Sequence, residues 1–201
     1  MKHFWNERYS LPEYVYGDTP NTFFREQLEK LKPGTILLPG EGEGRNAVWA
    51  ASAGWLADAV DYSEMAREKA MQLAAYKKTR LNQYFVEDLN AFIPFENYYD
   101  AIALVFVHLM PDERQLLHQK LIKALKPGGT IIIEAFHPDQ LQYNSGGPKN
   151  SEMLYTHEML SEDFKGLRIN YLDEGIYHLS EGNFHRGEAA LVRMSMSLTA
   201  S

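Results

Sequence analysis

A glycine-rich loop between an apolar segment and an alanine-rich segment is the first feature that could do chemistry. Residues 36–38 predict a buried strand, Gly40, Gly42 and Gly44 follow it, and a helix is predicted after them. Glycines at a strand-to-helix junction permit a tight turn and let a ligand approach the main chain. The unpaired N–H groups at the start of that helix attract negative charge on the ligand. The loop therefore predicts a ligand-binding turn.

The acidic character of this loop disfavours a dinucleotide. A dinucleotide fingerprint needs glycines at relative positions one, three and six, but position six is Arg45 here. Glu41 and Glu43 would also lie close to a pyrophosphate and repel it. S-adenosylmethionine (SAM) has no phosphate, and its ammonium and sulfonium groups are compatible with an acidic loop. We therefore expect SAM, and a nicotinamide-dependent dehydrogenase is disfavoured.

An aspartate at the end of the next apolar strand supports a nucleoside cofactor. Asp61 lies 21 residues beyond Gly40, which is close to the roughly 20 residues expected for an acid that binds ribose. Its carboxylate could accept hydrogen bonds from both ribose hydroxyls. The alternative is that Asp61 only caps the helix that begins near Ser63.

Composition limits the other classes of function. The chain has 201 residues, 45% of them apolar, a net charge of −7 and no cysteine. The length fits one domain with a substantial core, and the negative charge makes nucleic acid a poor partner. The absence of cysteine excludes disulfides and thiolate sites. We expect a cytoplasmic protein without a membrane partner, while the sequence does not indicate its oligomeric state.

Strand and helix patterns alternate along the chain, which predicts an α/β, Rossmann-like, doubly wound and mostly parallel sheet. A C-terminal antiparallel hairpin completes the sheet. The seven predicted strands cover residues 36–38, 56–61, 83–87, 100–107, 130–135, 167–179 and 185–198, and the last predicted helix covers residues 151–164. Lys126, Pro127, Gly128 and Gly129 predict a turn before the fifth strand.

One domain is expected over residues 1–201. It comprises an N-terminal cover and helix (1–32), a cofactor-binding core (34–136) and a substrate-side loop, helix and hairpin (137–201). In such sheets ligands bind at the carboxyl ends of the strands, where the first and fourth strands diverge. The glycine loop, Asp61, Asp88 and His108 all fall at that edge.

Aromatic residues in the first 22 positions could cover the cofactor or substrate, or could form a hydrophobic clasp. Tyr16 could contact the sulfonium by a cation–π interaction or pack in the core. Tyr143 and Lys149, in the long loop 137–150, could close over the substrate. The seven histidines are scattered, so no metal site is predicted.

Several motifs together resemble class I SAM-dependent methyltransferases over nearly the whole chain, and more narrowly the tellurite-resistance methyltransferase subgroup. They are Trp5-x-x-x-Tyr9, Tyr14-Val-Tyr-Gly-Asp-Thr-Pro-Asn21, Gly42-Glu-Gly-Arg-Asn46, Ala59-Val-Asp-Tyr-Ser63, His108-Leu-Met-Pro111, Leu125-Lys-Pro-Gly-Gly129, Gly146-Gly-Pro148 and His185-Arg-Gly187.

The resemblance implies where SAM would bind. The glycine loop would bound its methionine part, Arg45 would hold its carboxylate, Asp61 its ribose and Asp88 its adenine amino group. The predicted cofactor-binding residues are Gly40, Glu41, Gly42, Gly44, Arg45, Asn46, Asp61, Tyr62, Asp88, Leu89 and Val105.

The chain departs from the family pattern at the end of the first strand. The family usually has an acid where this chain has Leu38, and a cysteine where it has Glu41. Glu41 could replace the missing carboxylate near the SAM ammonium, or the change could weaken SAM binding.

Three residues are candidates for the chemistry. His108 follows the fourth strand and could act as a base or contact substrate, or could simply bond the backbone of a turn. His185 and Arg186 begin the last strand, where the family pattern points them to the acceptor, unless they form an exposed hairpin end. The predicted reaction is methyl transfer to a small soft or anionic nucleophile, such as a thiol or a chalcogen oxyanion. The alternative is a non-catalytic nucleoside-binding module.

Overall fold

Seven strands form one sheet in the structure, a computed structural model that describes residues 2–200 and the side chains of residues 5–200. The strands are β1 (Thr35–Pro39), β2 (Leu56–Asp61), β3 (Gln83–Val86), β4 (Tyr99–Val105), β5 (Leu125–Phe136), β6 (Arg168–Glu181) and β7 (His185–Ser197). Their order is β3-β2-β1-β4-β5-β7-β6. The pairs among β1 to β5 are parallel, and β7 runs antiparallel to both β5 and β6. The predicted fold class is therefore confirmed.

Six α-helices cover the described part of the chain. They are α1 (Lys2–Tyr9), α2 (Thr22–Leu28), α3 (Arg45–Ser52), α4 (Glu64–Tyr76), α5 (Pro111–Ala124) and α6 (His157–Asp163). Side chains of Asn21, Ser63 and Thr156 accept N–H bonds at the starts of α2, α4 and α6. These caps fix where the helices that surround the sheet begin.

Two local predictions were wrong. The predicted helix 151–164 is a 3-10 turn (Ser151–Met153) followed by α6, because Thr156 caps a new helix start at residue 157. The predicted turn 126–129 instead belongs to β5. Gly128 donates to the carbonyl of Leu198, and Leu198 donates to that of Gly129, so pairing with the C-terminal segment joins these residues to the strand although Gly128 has a φ of +81°.

A buried group of three charged residues joins α5 to α6, and we call it the core triad. Arg114 Nε and His118 Nδ1 lie 2.6 and 2.8 Å from one oxygen of Asp163. The ring of Phe164 stacks on His118 at 4.4 Å. The three side chains are at most 4% exposed, so the triad belongs to the interior.

Both faces of the parallel strands are covered by helices, so the strands themselves are buried. Every residue of β1 is buried, and so is all of β2 after its first residue. In the described part of the chain, no helix is long and apolar enough to cross a membrane.

Candidate active site

The glycine loop turns sharply at the carboxyl end of β1, as predicted. Gly40 and Gly42 have φ values of +66° and +64°, in the region that favours glycine. The Gly40 N–H donates to the carbonyl of Val60 at 2.7 Å. A Cβ atom on Gly40 would lie 2.9 Å from Val107 Cγ2. Both the conformation and the close approach to β4 therefore require glycine at position 40.

Gly44 has a different purpose from the other loop glycines. It precedes α3 with a φ of +90°, and a Cβ atom there would lie 2.6 Å from Ala70 Cβ and 2.9 Å from Ala70 Cα. Gly44 does not line the cavity described below. Its role as a cofactor residue stays a prediction, and in the structure it lets α3 approach α4.

Glu41 occupies the start of α3. Its Oε1 atom accepts N–H bonds from Asn46 and Ala47, both at 2.8 Å. Burial raises the pKa of Glu41 to about 7, although these bonds oppose the shift. Two helix N–H groups that were expected to meet the SAM carboxylate are thus used by the protein itself. Leu38, at the departure from the family pattern, is 1% exposed and packs in the core.

Asp61 is held rigidly at the end of β2. Its two oxygens accept N–H bonds from Gly42 at 3.2 Å and Ser63 at 2.9 Å. Burial raises the pKa of Asp61 to about 6. The alternative that Asp61 only caps α4 is not supported, because Ser63 caps that helix with its own hydroxyl. Each carboxylate oxygen has a second lone pair, so Asp61 can still accept from ribose hydroxyls.

A cavity of about 490 Å³ opens at this edge of the sheet. The predicted site residues that line it are Tyr16, Gly40, Glu41, Gly42, Arg45, Asn46, Asp61, Tyr62, Asp88, Leu89, Val105, His108 and His185. They come from the carboxyl ends of β1 to β4, from α3, from the N-terminal segment and from the start of β7. Topology therefore brings most of the predicted site together.

One end of the cavity, which we call the acceptor side, is mainly apolar. Phe106, Phe136, Pro148 and Met153 line it together with His185. Phe106 has a φ of +56°, which is unusual for a bulky residue and is a form of strain that clusters at functional sites. Sequence patterns missed Phe136 and Met153, because neither belongs to one of the motifs, and the positive φ of Phe106 has no sequence signal.

The N-terminal segment covers the cavity. Trp5, Arg8 and Tyr9 of α1 line it. Trp5 and Tyr9 stack with ring centroids 5.4 Å apart, and Arg8 Nη1 donates to the hydroxyl of Tyr16 at 3.2 Å. This geometry favours the cover over the clasp and includes Tyr16 in the cover, while the contact of Tyr16 with a sulfonium stays a prediction.

A buried ion pair anchors this cover to the glycine loop. Lys69 Nζ lies 2.6 Å from Glu43 and also donates to the carbonyls of Leu11 and Glu13. Glu43 in turn accepts the Val15 N–H at 2.7 Å. Glu43, the second acid of the loop, therefore holds the covering segment in place. Lys69 balances its charge.

Arg45 is already engaged by the protein. Its Nη2 lies 2.8 Å from Glu181, and its Nη1 donates to the carbonyl of Tyr16 at 3.2 Å. A guanidinium has five N–H donors, so Arg45 could bind the SAM carboxylate and Glu181 at the same time. That contact with SAM stays a prediction.

His108 lies beside the cavity, but both of its ring nitrogens are occupied. Nδ1 is 2.6 Å from the carbonyl of Met153, and Nε2 accepts the Phe136 N–H at 3.2 Å. Burial lowers the pKa of His108 to about 4. The expectation that His108 acts as a base is therefore corrected. It is the turn residue that bonds the backbone, and it holds the acceptor side in shape.

Three other predicted residues do not line the cavity: Tyr143, Lys149 and Arg186. Arg186 is exposed on β7, and Lys149 is exposed with its Nζ donating to the carbonyl of Tyr143. The long loop instead contributes Gly147 and Pro148 to the lining. The strand alternation explains Arg186, since neighbouring side chains point to opposite faces and His185 points inward.

A surface cluster away from the cavity has the spacing of metal ligands. Single ligand atoms of His157, Glu158 and Glu174 lie within 4.8 Å of one another. Glu174 also accepts the His157 N–H at 2.7 Å, which ties α6 to β6. Because Glu174 already has this structural partner and the cluster is partly exposed, we assign it to the fold.

Comparison with known proteins now identifies the class. The fold is a Rossmann-like domain with a cavity at the carboxyl ends of its parallel strands. Residues 36–129 match a family model described as "Methyltransferase domain", whereas no curated protein matches the chain in sequence. The matched part of the chain is therefore a methyltransferase domain, an enzyme domain of the SAM-dependent class. The predictions of class and cofactor are confirmed.

Solved structures share the fold at low sequence identity. TehB from Haemophilus influenzae is 16% identical with a TM-score of 0.74, over 98% of this chain and 67% of that one. N-methyltransferase NodS from Bradyrhizobium japonicum WM9, in complex with S-adenosyl-L-homocysteine (SAH), is 13% identical with a TM-score of 0.72, over 98% and 97%. A third is described as "Conversion of a Disulfide Bond into a Thioacetal Group during Echinomycin Biosynthesis" and is 16% identical with a TM-score of 0.79, over 100% and 94%.

Proposed function

We propose that the protein transfers the methyl group of SAM to a small nucleophile bound against the aromatic acceptor side. One observation carries the proposal: a single cavity joins the predicted nucleoside residues Asp61 and Asp88 to Phe106 and His185. A cavity of about 490 Å³ is in the range of small-molecule sites. SAM and a small acceptor would therefore share one enclosed space.

The residues present fit SAM. Asp61 retains acceptor capacity for the ribose, and Asp88 lies at the mouth for the adenine amino group. Gly40 and Gly42 bring the main chain to the wall of the cavity, where the methionine part would lie. When bound, SAM supplies a methyl group that is activated by its sulfonium. Val105 and the strained Phe106 end β4 where we expect that methyl to lie.

The chain's own contribution is alignment and exclusion of water. Alignment of two reactants in one geometry can supply much of a rate enhancement. The cover of Trp5, Tyr9 and Tyr16 shields the cavity, and Lys69 and Glu43 hold it in place. Methyl transfer needs little more than this when the nucleophile is soft.

The acceptor side favours an apolar, soft nucleophile over a strongly anionic one. Arg186 lies outside the cavity, and the charge of Arg45 is balanced by Glu181. We therefore place thiols ahead of chalcogen oxyanions among the candidate acceptors. The third neighbour above is described by a reaction of a disulfide, which is a further reason to test sulfur nucleophiles first.

Calorimetric titration with SAM and with SAH tests the proposal. We expect binding to the wild type, and a loss of about 100-fold or more in Asp61→Ala, because bonds to a charged group contribute about 1.5–3 kcal/mol each. Asp100→Asn is the matched control, since Asp100 bonds Thr35 and Lys126 and does not line the cavity. It should bind SAM as the wild type does.

The non-catalytic module remains the competing hypothesis, and the replacement of the strand acid by Leu38 motivates it. Transfer of labelled methyl from SAM to a panel of thiols, amines and phenols separates the two. Tight SAM binding without transfer to any of them would favour the module. No binding of either SAM or SAH at millimolar concentration would refute the proposed function.

The affinity for SAM should also depend on pH. Burial raises the pKa of Asp61 to about 6, and only its ionised form accepts from both ribose hydroxyls. Affinity should therefore be constant above pH 7 and fall by up to about tenfold per unit below pH 6. Asp61→Asn should lose this dependence. A wild-type affinity that does not change between pH 5 and pH 7 would contradict the role of Asp61.

A further inference from the structure

A second group of three ionisable residues lies beside the acceptor side, and we call it the cavity triad. Glu181 Oε2 is 2.8 Å from Arg45 Nη2 and 3.6 Å from His185 Nδ1. The other oxygen of Glu181 accepts from Asn21 Nδ2 at 2.9 Å. The side chains of the triad are between 7% and 13% exposed. A carboxylate thus sits behind the histidine and is itself fixed by two donors.

Aromatic contacts fix the plane of the His185 ring. Its centroid lies 4.4 Å from those of both Tyr16 and Phe106, and 5.3 Å from that of Phe136. Nδ1 is buried, and within the described part of the chain neither ring nitrogen forms a hydrogen bond of ordinary length. His185 lines the cavity, and unlike His108 it has no main-chain partner on Nδ1.

The strained residue helps to build this arrangement. Phe106 donates its N–H to the carbonyl of Glu134 at 2.8 Å while its φ is +56°. This conformation places its ring between Phe136 and His185, at 4.7 and 4.4 Å. Backbone strain of this kind persists only where the surroundings enforce it. Here it positions the Phe106 ring against His185.

We propose that Glu181 is a positioning residue that holds His185 as the proton acceptor for a methyl acceptor that must lose a proton, namely a thiol, an alcohol or an amine. The inference rests on the proposed function and narrows its substrate class. It excludes acceptors that react as permanent anions. Glu181 would accept a hydrogen bond from Nδ1–H. Nε2 would then carry no proton and could accept one from the methyl acceptor.

The step balances without a further reactant. The acceptor heteroatom forms a bond to the methyl carbon while the methyl–sulfur bond breaks, and the electron pair of that bond stays on sulfur in SAH. The acceptor proton moves to His185 Nε2 and then to water. The 3.6 Å between Glu181 and His185 exceeds a hydrogen bond, but such contacts are commonly long before ligands bind and tighten in the complex.

The charges around the triad are consistent with this role. Burial acts to raise the pKa of Glu181, but the contacts with His185 and Arg45 outweigh it and lower that pKa to about 2. Burial lowers the pKa of His185, Glu181 opposes this, and the charges of Arg45 and Arg8 add to it. At neutral pH the carboxylate is therefore ionised and the imidazole is neutral. Tyr16 and His108 are the other titratable groups that face the ring.

Nitrogen-15 NMR of the histidine rings tests the proposal without any ligand. In the wild type we expect His185 to carry its proton on Nδ1. In Glu181→Gln its pKa should fall, because a neighbouring negative charge is lost. Asp163→Asn is the matched control, since Asp163 holds a histidine in the core triad, and it should leave His185 unchanged. A proton on Nε2 in the wild type, or an unchanged His185 pKa in Glu181→Gln, would overturn the proposal.

The wild-type tautomer decides the question even if Glu181→Gln does not fold. It is also independent of SAM, so failure of the wild type to bind SAM would refute the proposed function and leave this result standing. The two failures are therefore distinguishable.

Rates with two probe thiols test the substrate class. We use 2-mercaptoethanol, which is mostly protonated at pH 7, and 4-nitrothiophenol, which is ionised. His185→Gln should slow transfer to the first by about 100-fold relative to the second, the lower range of general-base catalysis. His118→Gln is the control, as its histidine lies in the core triad, and it should not change this ratio. Equal slowing of both thiols, or wild-type transfer to the ionised thiol alone, would overturn the proposal.

Discussion

The core triad and the cavity triad use the same three kinds of residue, an arginine, a carboxylate and a histidine. In the core triad the carboxylate bonds both partners at 2.6 and 2.8 Å. In the cavity triad it bonds the arginine at 2.8 Å and stands 3.6 Å from the histidine. Phe164 stacks on one histidine and Phe106 meets the other edge-on. Only His185 of the two histidines lines the cavity.

The difference shows that residue types alone do not identify a catalytic group. Asp163 closes the core triad, so His118 has a full structural purpose and no access to a ligand. Glu181 leaves His185 partly unsatisfied at the wall of the cavity. Access, and a nitrogen left without a partner, distinguish the candidate for chemistry from the residue that only holds two helices together.

The largest expected effect is on the core triad. Asp163→Ala leaves Arg114 and His118 buried without their partner, which typically costs about 3–5 kcal/mol. We expect this loss in the free energy of unfolding measured with urea. The affinity of the folded protein for SAM should change by less than about twofold, since the triad does not line the cavity. A large loss of SAM affinity under conditions where the variant is folded would contradict the assignment of the core triad to the interior alone.

The cavity triad should contribute to stability in a defined range of pH. The pKa of Glu181 is lowered from 4.5 to about 2, so its stabilisation is complete above pH 4.5 and is lost as the pH falls toward 2. The loss is about 3–4 kcal/mol if the unfolded value is ordinary. Urea unfolding of Glu181→Gln should therefore differ most from the wild type above pH 4.5 and progressively less below it. A difference that grows with acid would contradict this assignment.

A smaller effect on kcat/KM should distinguish Phe106, which contacts His185, from Phe164, which contacts His118. Phe106→Ala and Phe106→Gly should both lower kcat/KM for the acceptor by about tenfold, because each removes a wall of the acceptor side. Phe106→Gly should be the more stable of the two by about 1 kcal/mol, since glycine tolerates the φ of +56°. Phe164→Ala should lower stability without changing kcat/KM. Equal stability of the two Phe106 variants would argue against backbone strain.

The smallest effect is expected beyond the cavity. Arg186→Ala and Lys149→Ala should change kcat/KM by less than about twofold, because both side chains are exposed and neither lines the cavity. Steady-state kinetics with the acceptor found in the thiol panel gives the answer. A tenfold loss in Arg186→Ala would mean that β7 rotates or bends when the acceptor binds.

The sequence predicted the cofactor side far better than the acceptor side. Gly40 and Asp61 are linked by spacing, because strand, turn and helix lengths fix which residues reach the sheet edge. Phe106, Phe136 and His185 meet only through tertiary pairing of distant strands, and a positive φ at phenylalanine leaves no local pattern. His108 was misassigned because spacing placed it at the edge but could not reveal that main-chain groups take both of its nitrogens.

The same limit applies to the fold. The mostly parallel sheet followed from the alternation of elements, and Ser63 marked the start of α4 correctly. The start of β5 was missed because Lys126 to Gly129 have turn composition, while hydrogen bonds with residue 198, far along the chain, join them to the strand. Long-range pairing therefore overrides local propensity at that position.

A crystal structure of the protein with SAH would test the central claim most directly. We predict that the ribose hydroxyls lie within hydrogen-bonding distance of Asp61 and the adenine lies beside Asp88. The sulfur should face Phe106, with His185 on the far side of the remaining space. SAH bound with its sulfur turned away from the acceptor side, or bound outside this cavity, would contradict the account.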